Sequence, residues 1–561
     1  MQLTNRINFR NVRGDIFGGV TAAVIALPMA LAFGVASGAG AISGLWGAVL
    51  VGFFAALFGG TPTLISEPTG PMTVVMTAVI ANLTAANPEN GMAMAFTVVM
   101  MAGIFQIIFG ALRLGKYVTL MPYTVISGFM SGIGIILVIL QLAPFLGQES
   151  PGGGIVGTLL AIPDLLANMQ PVETGLAVIT VAIIWFMPRR FKKIIPPQLV
   201  ALIVGTLLSL LLFPDMDLRR IGAIPVGFPD LQRPTFDSQQ LTLMFADAAV
   251  LGMLGCIDAL LTSMVADSLT RTEHNSNKEL IGQGLGNLVS GLFGGIPGAG
   301  ATMGTVVNIQ SGGRTALSGL IRAGILLVVI LGAANLAATI PLAVLAGIAL
   351  KVGIDIIDWD FLKRAHRVSL KGALIMYGVI ALTVLVDLIV AVGIGVFVAN
   401  ILTIERISLL QAKSVQTITD ADDAILLNEE EKRWLDEANG RVLLFKLSGP
   451  MLFGVAKAIS REHNAIGECD AIVFDLSEVP HMGVTVSLAI ENAVKEAVEQ
   501  GRHVFIVGAS GQTYRRLENL NVFDLIPKRT LTMSRTEALR TAVGAVFPIE
   551  QVSADTTAVS T

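Results

Sequence analysis

Asp258 lies inside the apolar stretch Leu241 to Ala266, and further along the chain Gly295 to Thr302 reads Gly-Ile-Pro-Gly-Ala-Gly-Ala-Thr, also within an apolar region. A carboxylate at bilayer depth costs roughly 2.5–3.5 kcal/mol on insertion scales, so it is kept where it binds something. Thr262 follows Asp258 by four residues, and on a helix the two share a face and present oxygen ligands together. The glycine run marks a helix that cannot continue. Glu67-Pro68-Thr69-Gly70-Pro71 marks a second such break in the first half of the chain. Short helices starting near Gly70 and Thr302 would aim unpaired N–H groups at the protein centre from opposite sides, each end worth roughly half a positive charge. Two such ends attract a small anion, with Thr69, Gly70, Ala301 and Thr302 as its candidate contacts. Prolines 68 and 71 and glycines 298 and 300 keep the backbone before each helix extended and free its carbonyls. Asp258, Thr262, Gly300 and Thr302 then offer carboxylate, hydroxyl and carbonyl oxygens. That set suits a hard cation such as sodium, and no histidine or thiolate cluster suits a transition metal.

These residues need membrane helices to position them. The first 408 residues carry 42 charged side chains and the last 153 carry 36, which divides the chain into a large membrane domain and a smaller soluble one. The expected organisation is a cytoplasmic segment 1–14, a transport domain 15–408, a linker 409–438, a soluble domain 439–548 and a disordered tail 549–561. About fourteen apolar segments fall near 15–35, 42–60, 70–84, 92–112, 119–144, 171–187, 196–213, 242–266, 280–295, 301–311, 315–334, 339–354, 372–387 and 388–406. Lys and Arg gather in alternate loops: Arg113 and Lys116; Arg189, Arg190, Lys192 and Lys193; Arg271 and Lys278; Arg314; Lys363, Arg364, Arg367 and Lys371. Loop 147–170 carries neither residue, and Arg219, Arg220 and Arg233 form the one opposite cluster. By the positive-inside rule both termini are cytoplasmic, in the inner (plasma) membrane. Arg6, Arg10 and Arg13 precede an apolar run without a cleavage site, so that run reads as a retained first span.

Leu-Phe-Gly-Gly occurs at Leu57 to Gly60 and again at Leu292 to Gly295, each time shortly before a broken segment. Aligning Thr73-Val74-Val75 with Thr305-Val306-Val307 sets Thr69 opposite Ala301. The halves begin at spans 1 and 8, so the second is inserted upside down, the inverted 7+7 repeat of secondary transporters. Glu67 reads as facing the cytoplasm or interface, Asp387 as a loop residue, and the methionines of Met92 to Met101 as core or lipid-facing. Thr69 also suits an N-cap. The five histidines, 274, 366, 463, 481 and 503, fall outside the spans. Cys256 is apolar in setting and Cys469 soluble, so no disulfide framework is expected. No long basic patch points to nucleic acid.

The fourteen-span inverted repeat, the broken spans 3 and 10, Gly294 to Gly300 and the Ser-Gly-Gly-Arg-Thr of Ser311 to Thr315 resemble the SulP anion transporters over nearly the whole chain. Within that family the likeness is to cyanobacterial sodium-dependent bicarbonate transporters. The resemblance also implies an arginine at the position of Gly304, where it would help to neutralise the anion. This chain has glycine there, which weighs against sulfate and dicarboxylates and favours a bound cation as the missing positive charge. Strand-like Val442 to Leu447, Ala471 to Leu476 and Val504 to Gly508 alternate with helical Val484 to Glu499 and Gln512 to Leu520. That α/β region resembles the STAS domain of anti-sigma factor antagonists, implying a dimerising or regulatory role. The loop His481 to Thr485 lacks the aspartate of their phosphorylation motif, and Val486 stands where the motif's glycine would follow, leaving Thr485 as a regulatory candidate.

The expectation is a transporter, not an enzyme, without cofactors, symporting sodium and bicarbonate as a homodimer through its STAS domain. Spans 1–4 and 8–11 form a moving core and spans 5–7 and 12–14 a scaffold. The alternatives are a proton-coupled carrier of sulfate, another oxyanion or a dicarboxylate, a nucleobase permease of related fold, and an anion channel or sensor with the soluble domain as output.

Overall fold

The computed structural model describes residues 4–5, 11–118, 122–192, 195–214, 216–222, 227–386, 388–412, 415–419, 427–451, 456, 459, 469–527 and 533–547. Arg6, Arg10, Lys193, Asp387, His463 and the expected tail 549–561 lie outside these residues. The chain divides into a unit of residues 1–399 and a unit of residues 400–561.

The first unit is helical. Its helices are α1 (Val12–Ala36), α2 (Ala41–Phe58), α3 (Gly70–Ala86), α4 (Gly91–Ala111), α5 (Gly115–Val118), α6 (Tyr123–Leu140), α7 (Leu142–Phe145), α8 (Gly154–Ala167), α9 (Pro171–Phe186) and α10 (Arg189–Lys192). Then follow α11 (Pro197–Leu212), α12 (Leu241–Thr270), α13 (Ser276–Leu292), α14 (Thr302–Gln310), α15 (Ala316–Ala337), α16 (Leu342–Ile356), α17 (Trp359–Val368), α18 (Leu370–Leu385) and α19 (Leu388–Ala412), the last running across the boundary between units. Each of the fourteen apolar segments coincides with a helix. Five of them, α1, α2, α4, α6 and α12, are long and apolar enough to cross a membrane alone, and α8 with α9, bent by 114°, makes a sixth if counted as one span. Segment 147–170, expected as an outside loop, contains α8. Its run of Ile155, Val156, Leu159, Leu160, Leu165 and Leu166 is apolar enough for a helix, and Gly153, at φ +88°, turns the chain into it.

Two packed sets emerge. In the first, α13 lies along α2 and α4, α12 along α4, and α1 along α2 and α15; in the second, α6 packs on α16 and α18, and α9 on α11 and α16. Small residues let these helices approach closely. Two glycines at matching places, the seventh residues of α2 and α13, show how the first set locks together. A Cβ on Gly47 would stand 2.6 Å from the Ile296 carbonyl oxygen, and one on Gly282 2.4 Å from the Gly59 nitrogen. Each helix thus lets the loop that follows the other pass against its backbone. Arg219 and Arg220, the arginines that break the charge asymmetry, are structural ties: Arg219 forms an ion pair with Glu173 at 3.0 Å, and Arg220 donates to Ser209 at 3.1 Å and to the Thr339 carbonyl.

The second unit holds a four-stranded sheet in the order β3 (Val415–Ile418), β4 (Val442–Ser448), β5 (Ala471–Glu478), β6 (His503–Val507), with β3 antiparallel and the rest parallel. β4 and β5 are buried along continuous apolar runs, as parallel strands covered on both faces require. Residues 409–438, expected as a linker, include β3 and the helix Glu429–Ala438, which packs on Arg535–Val546. Glu431 anchors that contact. Arg535 donates to both its oxygens at 2.9 Å and to Asp475 at 3.2 Å. Burial pushes the Glu431 carboxyl upward, but bonds from Arg535, the Asn428 N–H and Thr536 outweigh it and hold it below the ordinary value of 4.5.

A depressed carboxyl stabilises the fold above the unfolded group's pKa and loses that contribution as pH falls through the folded value. The melting temperature of this unit, followed by Trp434 fluorescence, is therefore expected to drop as pH falls below 4.5, and Glu431→Gln to flatten that slope while lowering stability at neutral pH. In the helical unit, Gly282→Val is expected to cost about 1–3 kcal/mol by overpacking. Gly324→Ala, with open space around its Cβ, should leave the detergent melting curve unchanged.

Candidate functional site

The two broken segments meet. Before α3 the chain forms the short strand β1 (Ser66–Glu67), and before α14 the short strand β2 (Ala299–Gly300). They pair antiparallel, Ser66 opposite Gly300 and Glu67 opposite Ala299. Ala301 N–H extends the pairing to the Ile65 carbonyl at 2.8 Å. Immediately beyond, α3 starts with Thr69 as its N-cap and α14 with Ala301, the two residues the repeat alignment sets opposite each other. The first bonds to these caps are made by Thr73 and Thr305 N–H, each at 2.9 Å. The N–H groups of Gly70 and Met72, and of Thr302, Met303 and Gly304, therefore precede the helical ladders.

α12 supplies the side chains. The Thr69 side chain makes no capping bond to its own helix; its hydroxyl donates to Asp258 Oδ2 at 2.8 Å. The Thr262 hydroxyl donates to the Gly300 carbonyl at 2.8 Å and lies 2.9 Å from the Thr302 hydroxyl. Thr69, Asp258, Thr262 and Gly300 are buried, while Thr302 and Met303 are exposed. The structure thus brings Thr69, Asp258, Thr262, Gly300 and Thr302 into one bonded group, with Gly70 and Ala301 at the two helix starts. Thr485 is distant in the sequence, exposed in the first turn of Val484–Glu499 of the second unit.

Asp258 differs from the other buried carboxylates among the described residues of the helical unit. Asp15 accepts from Arg314 N–H, Thr315 N–H and the Thr315 hydroxyl. Glu173 is paired with Arg219. Glu279 accepts from Gly60 and Thr61 N–H, both at 2.8 Å, and from Gln283 at 2.8 Å. Glu67 is paired with Arg322. Among the described residues, the Asp258 carboxylate accepts the Thr69 hydroxyl alone. A buried charge is expensive unless paired and hydrogen-bonded, and Asp258 is the least compensated of these five carboxylates.

Glu67 corrects the sequence reading. It is buried rather than facing the cytoplasm or interface, because Arg322, a residue of α15, reaches it. Arg322 escaped notice although an ionisable residue in an apolar span is itself a signal. Asn287 was also missed. Its side-chain amide clasps Gly298, donating to the carbonyl at 2.9 Å and accepting the N–H at 2.8 Å, so it serves as a sheet neighbour for the backbone leading into β2. The methionine stretch proves to be core, with Met94, Met100 and Met101 buried.

Residues 12–379 match the sulfate permease family model, and residues 433–538 match the STAS domain model. The chain belongs to the sulfate permease family. The family consists of membrane transporters, so the chain is a transporter with a STAS domain and not an enzyme. It is 76% identical over 98% of both chains to the protein named bicarbonate transporter BicA from a Picosynechococcus strain. A solved transmembrane domain of a cyanobacterial bicarbonate transporter BicA is 79% identical and superposes with a TM-score of 0.67, covering 70% of this chain and all of that one. The structure of SLC26A9, at 18% identity, superposes with a TM-score of 0.80 over 96% of this chain and 91% of that one, a likeness of fold.

Breaking the clamp on Gly298 tests how the site is held. Asn287→Leu leaves a buried N–H and carbonyl unpaired and is expected to cost roughly 1–3 kcal/mol, read as a lower melting temperature in detergent. Asn287→Asp, which keeps the acceptor and loses the donor, should fall between it and the parent.

Proposed function

We propose that this transporter takes up bicarbonate in symport with sodium. The observation that carries the reading is Asp258, buried and held by one hydroxyl. Sodium is placed among Asp258, Thr262, the Gly300 carbonyl and Thr302. Bicarbonate lies beside it against the N–H groups at the starts of α3 and α14, contacting Thr69, Gly70, Ala301 and Thr302. The name carried by the 76% identical relative supports bicarbonate as the anion. The oxygen-only ligand set supports sodium.

Charge explains the coupling. Two helix ends of roughly half a positive charge each offset Asp258, so the empty site is close to neutral. Sodium alone leaves it positive and bicarbonate alone leaves it negative, whereas the two together restore neutrality. Each ion therefore lowers the cost of burying the other, which is a coupling free energy. The core moves readily when empty or doubly loaded, and transport is electroneutral with one ion of each kind. The fourteen helical segments form a 7+7 inverted repeat, with α1–α4 and α12–α15 as core and the remaining spans as scaffold. Both termini are in the cytoplasm, and the STAS domain joins two copies.

Uptake of labelled bicarbonate, sulfate or fumarate into proteoliposomes, each with and without a sodium gradient, tests this directly. Sodium-driven uptake of bicarbonate alone is expected. Sodium-independent sulfate or fumarate uptake would favour a proton-coupled oxyanion carrier, and unsaturable flux a channel. Asp258→Ala should abolish sodium-dependent uptake. Thr262→Val should raise the sodium concentration for half-maximal uptake by about tenfold, the factor that corresponds to one lost interaction of roughly 1.4 kcal/mol.

A further inference from the structure

Arg322 is a fully buried cation in the helical unit, and its surroundings are built to receive it. Nη1 donates to the Ser66 carbonyl at 2.9 Å and the Ala48 carbonyl at 3.2 Å, and Nη2 to Glu67 Oε2. Its Nε has no partner among the described residues. α2 makes room for the guanidinium with Gly52, where a Cβ would stand 2.5 Å from Nη1. The Arg322–Glu67 pair therefore sits on β1, two residues before Thr69. Glu67 also faces α14: a Cβ on Gly304 would lie 3.4 Å from Oε1. A unit positive charge thus borders both helix starts and is cancelled by Glu67.

We propose that Glu67 is a specificity-determining residue which imposes the sodium requirement by neutralising Arg322. An unpaired guanidinium on β1 would add positive potential at the two helix starts, and interior charges are weakly screened. A small anion could then bind without sodium. With Glu67 in place that potential is removed, and the positive charge must come from the co-transported cation. Arg322 and Glu67 touch neither ion. They set the charge against which both bind, while Arg322 also holds the Ser66 carbonyl of β1.

The inference rests on the symport reading, and one experiment separates the two. Labelled bicarbonate uptake is measured over a sodium titration for the full-length protein, Glu67→Gln, Arg322→Gln and the double variant. In Glu67→Gln the ratio of uptake with sodium to uptake without it should fall by roughly 5–150-fold, the usual span of a coupling free energy, through a rise in sodium-free uptake. Arg322→Gln, left with an uncompensated carboxylate, should lose uptake at all sodium concentrations. The double variant should recover sodium-dependent uptake, which loss of structure alone would not produce. A folded Glu67→Gln protein with the parent's sodium dependence overturns the inference, as does a double variant no better than Arg322→Gln. If Glu67→Gln does not fold, the comparison of Arg322→Gln with the double variant decides. Absence of sodium-dependent bicarbonate uptake in the parent protein instead refutes the symport reading itself.

Discussion

Four residues, Ser66 and Glu67 paired with Ala299 and Gly300, hold the two halves of the helical unit in register. Everything at the candidate site is measured from that pairing. It fixes where α3 and α14 begin, so the two sets of free N–H groups lie on either side of a common point. It also turns the Gly300 carbonyl toward Thr262. Regular secondary structure could not do this, since an unbroken helix would consume the N–H groups and carbonyls that the site requires. Irregular backbone inside a membrane is tolerated only where protein or a cavity satisfies it. Here Asn287 on one side and Arg322 on the other act as surrogate strand neighbours.

The carboxylates make the same point through contrast. Asp15, Glu173, Glu279 and Glu67 are each satisfied by several donors or an arginine, and each ties two distant pieces of chain together. The Asp15 contact explains the Ser311 to Thr315 segment, whose backbone wraps the carboxylate at the start of α1. Such bonds make a buried charge into a fixed joint. Asp258 accepts only the Thr69 hydroxyl among the described residues, and that difference in bonding, rather than burial alone, is what its proposed binding role rests on.

Much of this was legible in the sequence because the signals are local. Asp258 and Thr262 share a face by spacing alone, and proline and glycine at 68, 71, 298 and 300 stop helices wherever they occur. The Thr69 and Ala301 equivalence followed from a three-residue match, and the helix starts agree with it. The soluble strands were readable as continuous apolar runs. What escaped was pairing over long separations. Glu67 resembled an interfacial residue because its partner lies in α15, and the role of Asn287 depends on a backbone turn that no periodicity encodes. α8 was missed for a different reason: the absence of Lys and Arg in 147–170 marks a side of the membrane but says nothing about helix or loop.

The way the helices touch bears on how such a site could move. Within the first set, contacts run backbone to backbone: a Cβ on Gly103 would stand 2.5 Å from the Gly284 carbonyl oxygen, and one on Gly44 1.9 Å from that of Ala30. The second set is built the same way, with Gly134 against the Gly353 carbonyl and Gly128 against that of Met376. One contact with the second set has a different character. Gly70, at the start of α3, meets the tip of Ile356 and the tip of Leu137. Backbones in close contact at glycine cannot slide without opening a void or a clash, whereas side-chain tips can change rotamer and re-pack at modest cost. Two bodies that are stiff inside and meet through flexible tips are suited to shear as units. Asp258 lies on α12 of the first set and Gly300 packs on that helix, so such a movement would carry the two together.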